Sequence, residues 1–286
     1  MNKIGVLVIL ILAIGIILGI NIFLRNKESK KRQIVQAEEK TSTTAVKDLS
    51  ITVSYDNNSY KGGLTTAWGF SCVIRGTEKT ILFDTGGDGS ILLTNMKELG
   101  INPKEIELVV LSHIHGDHVG GLPNFLEKNP EVVVYLPKSF PKGFKDSMQE
   151  YGAKIVEVQG PLKICQEVYS TGELGTWIKE QSLIIYTEKG LIIITGCAHP
   201  GIVKIIDKAK KLVKDDVLLV MGGFHLGGES KGEIEKIVSN FRKLGVSYIG
   251  PCHCSGDAAR QLFKEEYGKN FINVGVGRVV RTNDLK

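Results

Sequence analysis

The chain has 286 residues, 42% of them hydrophobic and 23% charged, enough for one sizeable domain or two small ones. Its formal net charge is +5, but residues 1–49 carry eight Lys/Arg against four Asp/Glu, so the remainder is close to neutral. That excludes the basic patch of a nucleic-acid binder, and five cysteines in so long a chain are too sparse and too odd a number for a disulfide framework.

From the N-terminus, Ile4 to Leu24 runs without a charge. As a helix it would be about 30 Å long, enough to span a bilayer core. Gly15 to Asn26 offers no small-x-small cleavage site, so residues 1–24 are expected to form an uncleaved transmembrane anchor rather than a signal peptide. Arg25, Lys27, Lys30, Lys31 and Arg32 follow the span and only Lys3 precedes it. The positive-inside rule then makes this a single-pass membrane protein whose domain faces the cytoplasm. Residues 25–49 are polar and aperiodic and read as a flexible tether.

A single domain is expected over 50–286. Alternation predicts strands at Ser50–Tyr55, Ser71–Arg75 and Thr80–Phe83, the last running into Asp84-Thr85-Gly86-Gly87. Ser90–Leu99 reads as a helix, with Ser90 as N-cap and Gly100 beyond its C-terminus. Ile106–Leu111 is a buried strand, Leu122–Lys128 a helix and Val132–Leu136 a strand, followed over 137–154 by a loop with a short helix. Strands are expected at Ile155–Val158 and Val168–Tyr169, and a hairpin pairs Leu183–Thr187 with Leu191–Thr195. Helices at Ile202–Lys214, Glu233–Leu244 and Ala258–Tyr267 alternate with strands at Val217–Met221 and Ser247–Ile249, and Asn273–Val280 closes the chain as a strand. A strand-rich first half and a β-α-β-α-β second half predict a layered α/β sandwich.

The chemistry starts at Ser112-His113-Ile114-His115-Gly116-Asp117-His118, which holds half of the six histidines. Imidazole and carboxylate suit zinc, iron or manganese, and His113 and His115, two apart, can point to one side of an extended chain. Asp117 and His118 follow one turn later and can face a second ion. Later apolar strands end in further ligand types: Cys197 and His199, then His225, then Cys252-His253-Cys254. Strand ends on one sheet edge can converge on one cleft.

Ser-His-Ile-His-Gly-Asp-His-Val-Gly-Gly-Leu resembles the His-x-His-x-Asp-His signature of the metallo-β-lactamase superfamily, and Phe83-Asp84-Thr85-Gly86 its upstream aspartate-glycine loop. Thr-Gly-Cys-Ala-His-Pro-Gly-Ile, Gly-Gly-Phe-His-Leu and Pro-Cys-His-Cys are similar to a subgroup named for 7,8-dihydropterin-6-methyl-4-(β-D-ribofuranosyl)aminobenzene 5′-phosphate synthase. The resemblance implies a four-layer αββα sandwich and a two-metal site. His113 and His115 would hold the first ion, completed by either Glu173 or His199. Asp117, His118 and His253 would hold the second, with Cys197 where the superfamily usually has a bridging aspartate. The implied ions are two divalent metals, zinc first, with iron or manganese admitted by a carboxylate-richer set.

The expected activity is hydrolysis of a small ester, thioester, lactone or phosphoester by a metal-bound hydroxide. Asp117 would orient the nucleophile and move a proton, and His225, if not a ligand, would donate to the developing oxyanion or to a phosphate. Asp84 either supports a ligand histidine or stabilises its own turn. Trp68 and Phe70 either line the pocket or belong to the core. A synthase or redox enzyme of pterin metabolism, and a membrane-tethered metal-binding protein without turnover, are the competing readings. The expected partners are a small-molecule substrate and the membrane, with no nucleic acid.

Overall fold

The computed structural model describes residues 45–286. The described strands and helices are, in order, β1 (Ser50–Asp56), β2 (Phe70–Arg75), β3 (Ile81–Phe83), α1 (Gly89–Glu98), β4 (Leu108–Val110), α2 (Gly116–Val119), α3 (Leu122–Lys128), β5 (Val133–Pro137), α4 (Lys142–Glu150) and β6 (Lys154–Val158). The second half holds β7 (Leu162–Cys165), β8 (Val168–Ser170), β9 (Leu183–Thr187), β10 (Gly190–Thr195), α5 (Ile202–Val213), β11 (Val217–Gly223), α6 (Lys231–Lys243), β12 (Tyr248–Cys252), α7 (Asp257–Tyr267) and β13 (Val279–Arg281).

Period-2 patterning decides which face each strand buries. One sheet runs β13-β1-β2-β3-β4-β5-β6 and the other β12-β11-β10-β9-β8-β7. Cys72 and Ile74 of β2 meet Ile192 and Ile194 of β10 in the core between the sheets. Their neighbours face outward. Val73 and Leu82 pack under Leu92 and Met96 of α1 and Phe125 of α3. Leu191 and Ile193 pack under Ile205 of α5, Ile234 of α6 and Phe263 of α7. The layers are therefore helix, sheet, sheet, helix. Each fully buried Ile or Phe contributes roughly 1.5–3 kcal/mol of transfer free energy.

β3, β4, β5 and β6 are parallel, as are β10, β11 and β12. Parallel strands buried on both faces tolerate unbroken apolar runs, and all six residues of β10 are buried. Within each parallel set the C-terminal ends share one edge, so whatever follows these strands in sequence is delivered to one side of the sheet.

Three local expectations need correction. The N-cap of α1 is Asp88, not Ser90: the Asp88 carboxylate accepts the backbone N–H of Ser90 and of Ile91. The closing strand is short. Val279–Arg281 pairs in register with β1, and upstream Val276 forms an isolated bridge with Ser59 instead. The fold also begins before residue 50: Val46 pairs with Thr187, and Leu49 is buried. The expected membrane span at Ile4–Leu24 lies outside the described residues, as does most of the 25–49 tether. Among the described residues no helix is long and apolar enough to cross a membrane.

Candidate metal centre

Five strand ends build the site. β3 delivers Asp84, β4 delivers Ser112 and His113, β10 delivers Cys197 and His199, β11 delivers His225, and β12 delivers His253 and Cys254. His115 is the N-cap of α2, and Asp117 and His118 lie within it. Among the described residues, four of the six non-glycine residues at positive φ sit here: Asp84 (54°), Ala198 (63°), His225 (54°) and His253 (50°). Backbone held in this costly region turns the chain sharply out of each strand and is retained where the surroundings over-determine it.

All six histidines of the chain meet in one cleft. The rings of His113, His115 and His199 lie 4.6–4.8 Å apart, centroid to centroid, and their ligand nitrogens form one group within 4.8 Å. Asp117, His118, Cys197 and His253 form a second group. His118 Nε2 lies 3.1 Å from Cys197 Sγ and 3.3 Å from His253 Nε2, and Asp117 Oδ2 lies 3.3 Å from His253 Nε2. Ligand atoms on one tetrahedral ion of zinc size are separated by about 3.3–3.6 Å. The two groups adjoin, with the His113 and His118 rings 4.2 Å apart.

The residues behind the ligands fix how each ring points. His118 Nδ1 bonds Asp84 at 2.7 Å, and the same carboxylate accepts the backbone N–H and the hydroxyl of Ser112, both at 2.7 Å. The Ser112 hydroxyl also pairs with His113 Nδ1 at 2.9 Å, and Asn57 Oδ1 pairs with His253 Nδ1 at 3.1 Å. With Nδ1 engaged in each case, Nε2 is left to face the cleft. The Nε2 atoms of His113 and His199 are buried with no hydrogen-bond partner. A buried nitrogen left without a partner is costly unless something else binds it. The residues present therefore fit divalent metal. Gly196 makes the approach possible: a Cβ there would sit 2.1 Å from Ser112 Oγ and 3.0 Å from Asp84 Oδ2.

Electrostatics agrees with the ligand role. Burial pushes the imidazoles of His113 and His115 below their ordinary value and that of His199 to about 4, keeping them in the neutral, ligand form. Burial alone would raise the Asp117 carboxyl, but the hydrogen bond from His253 and the charge of His118 outweigh it and hold it below the usual range. For His118, burial is outweighed by the charge and hydrogen bond of Asp84, and its value rises. The Cys254 thiol is held down, first by its hydrogen bond with Cys197 and then by His225, while that same bond raises Cys197.

Glu173 requires correction. Its carboxylate accepts the backbone N–H of Ser139 at 2.6 Å and belongs to neither ligand group; His199 stands beside His113 and His115 instead. Asp84 is fully buried and supports His118 while also holding the Ser112 turn. Phe70 is core, edge-on to Phe83, whereas Trp68 is 60% exposed with its ring 4.8 Å from that of His253, on the rim of the cleft.

Sequence reasoning passed over Glu180. This fully buried carboxylate accepts the backbone N–H groups of Cys197 (3.0 Å), Ala198 (2.9 Å) and His199 (2.8 Å). Burial pushes it up to about 7 despite those three donors. It clamps the loop that supplies one ligand to each group. The only signal in the chain was a charged residue set beside the apolar run of β9.

A family model described as the metallo-beta-lactamase superfamily matches residues 69–220. The chain belongs to the metallo-beta-lactamase superfamily. As a member it is 30% identical, over 279 residues, to the 7,8-dihydropterin-6-methyl-4-(beta-D-ribofuranosyl)-aminobenzene-5'-phosphate synthase of Methanocaldococcus jannaschii, covering 80% of this chain and 95% of that protein. Among solved structures, one described as a metal-dependent hydrolase of the beta-lactamase superfamily superposes with a TM-score of 0.68 at 29% identity, covering 81% of this chain and 98% of that one. The metallo-beta-lactamase fold protein YhfI of Bacillus subtilis follows the same fold, with a TM-score of 0.64 at 14% identity, over 82% of this chain and 99% of its own. In this superfamily member the signature residues His113, His115, Asp117 and His118 fall within the two groups of ligand-type side chains.

Proposed function

We propose that the chain is a metal-dependent hydrolase of a small ester, thioester, lactone or phosphoester. The observation that carries this is the pairing of two adjacent ligand groups, His113/His115/His199 and Asp117/His118/Cys197/His253, across one cleft. The hydrolase structure at 29% identity supports the same reading. Divalent ions held there would lower the pKa of water and polarise the bond under attack.

The chain's own residues supply the rest. Asp117 is half-buried and its carboxyl is held ionised, so it can orient an attacking water by accepting a hydrogen bond from it. His225, exposed at the rim, has its pKa raised by its hydrogen bond with Cys254, so it can donate to a developing oxyanion. Trp68 offers an aromatic wall beside His253 for the apolar part of a substrate.

The test is metal analysis joined to a panel of phosphodiester, thioester, lactone and ester substrates. Turnover by the metal-loaded protein that disappears in His115→Ala supports the proposal. A metal-loaded protein inert to the whole panel overturns it. A second reading, a synthase, has the relative from Methanocaldococcus jannaschii behind it. Product formed only when two substrates are supplied together would select it.

We further infer that Ile4–Leu24 anchors the chain in a membrane with the domain on the cytoplasmic side, since basic residues crowd its C-terminal flank. Carbonate extraction and protease protection of the full chain check both parts. Release by carbonate, or digestion of the domain from the outer face, counts against them.

A further inference from the structure

Two ligand-type residues at the cleft, His225 and Cys254, belong to neither of the groups described above. Their ligand atoms lie with Cys197 Sγ in a third cluster, all within 4.8 Å of one another. Cys197 and Cys254 are buried, whereas His225 is exposed. Cys254 Sγ lies 3.6 Å from the Cys197 carbonyl oxygen. Space for this sulfur is cut into the fold: a Cβ on Gly223 would lie 2.7 Å from Cys254 Sγ and 2.3 Å from the Gly196 carbonyl oxygen, so β11 can carry no side chain there. His225 leaves β11 two residues later at a φ of 54°, and its ring comes to 4.3 Å from that of His199. A buried cysteine that merely packs needs neither a second thiol nor an imidazole within reach.

The donor chemistry differs from that of the neighbouring groups. The first group is all imidazole and the second mixes imidazole, carboxylate and one thiolate. Two sulfurs and one imidazole make a soft set, suited to cations that prefer sulfur. We propose that Cys197, His225 and Cys254 form a third metal subsite that takes a thiophilic cation of the zinc and cadmium class, sharing the Cys197 thiolate with the second group. Binding there releases the remaining thiol proton to solvent and ties down His225. On the hydrolase reading proposed above, an occupied third subsite removes a proton donor from the rim, so an excess of such a cation is inhibitory.

The test uses the full-length chain, stripped of metal and titrated with cadmium, reading bound metal per chain and the thiolate-to-cadmium charge-transfer absorbance in the ultraviolet. The wild type is expected to bind a third equivalent that adds an absorbance increment beyond that of Cys197 alone. Cys254→Ser should lose that increment and the third equivalent while keeping the other two. His225→Ala, at an exposed position that does not threaten folding, should weaken the third equivalent by more than the roughly tenfold that loss of a merely supporting residue costs. Cys165→Ser, outside the cluster, should behave as wild type. Equal absorbance and stoichiometry in the wild type and Cys254→Ser, or an unchanged third equivalent in His225→Ala, overturns the proposal. Turnover is not read, so a failure of the hydrolase reading leaves these outcomes as they are.

Discussion

The carboxylate of Glu180 accepts the backbone N–H of His199 at 2.8 Å, and its other oxygen takes those of Cys197 and Ala198. One buried side chain thus fixes a three-residue loop that serves both ligand groups. Glu180→Gln puts an amide nitrogen where an oxygen accepted, leaving at least one buried N–H unpaired, at a cost of roughly 1–3 kcal/mol. Chemical denaturation should show that loss, and equilibrium dialysis should show weaker metal retention. An unchanged midpoint and metal content would rule out the clamp.

His199→Ala should remove a ligand from the first group and lower the metal bound per chain, with the fold intact by circular dichroism. Glu173→Gln should leave metal content at the wild-type value, because the Glu173 carboxylate accepts the Ser139 N–H and joins neither ligand group. The opposite ranking in the two variants would restore Glu173 as the third ligand.

Asp84→Asn keeps the size of the side chain but replaces one carboxylate oxygen with a donor. The buried set of His118 Nδ1 and the two Ser112 groups then loses an acceptor. Metal affinity of the second group should fall about 10- to 100-fold, the range for residues that orient a ligand. Competition with a chelator of known affinity measures it, and a change below twofold would contradict the assignment.

Asp88 caps α1, and its carboxyl is held below its ordinary 3.8 by the Ser90 hydroxyl and by the backbone N–H groups of Ile91 and Ser90. A depressed folded-state value contributes stability that is present above the unfolded pKa and lost as pH falls through the folded one. Asp88→Ala should therefore cost ~1 kcal/mol at neutral pH. The gap between variant and wild type should narrow as pH drops below about 3.8. Urea midpoints of both proteins at neutral and acid pH test this, and a gap that widens with acid would reverse the sign.

Much of the fold was legible because its signals are local. Alternation in β2 and β10 reflects side chains that must face one core or another, and the helical period of α5 reflects one buried stripe. Where the signal was not local it failed. Lys163 follows Pro161 in a half-exposed stretch, so β7 shows little alternation, yet it pairs with β8. Ser90 and Asp88 are both cap-type residues, and only the backbone shows that Asp88 is the extended residue before the first turn. The histidines were legible because they cluster in one short stretch or follow the end of an apolar strand; Glu180 was not, because nothing in its neighbourhood reveals which distant N–H groups it will meet.

By itself, the sequence determined the kind of chemistry. It placed imidazole, carboxylate and thiol groups after buried strands, and strand polarity alone brings such groups to one edge. Only the tertiary structure decided how they are shared out. Because β10, β11 and β12 lie side by side and face the β3–β4 edge of the other sheet, His199 rather than Glu173 joins His113 and His115, and Cys254 comes within reach of Cys197. Those pairings span 57 to 86 residues of chain. They are fixed by strand order and sheet packing, which no local pattern encodes.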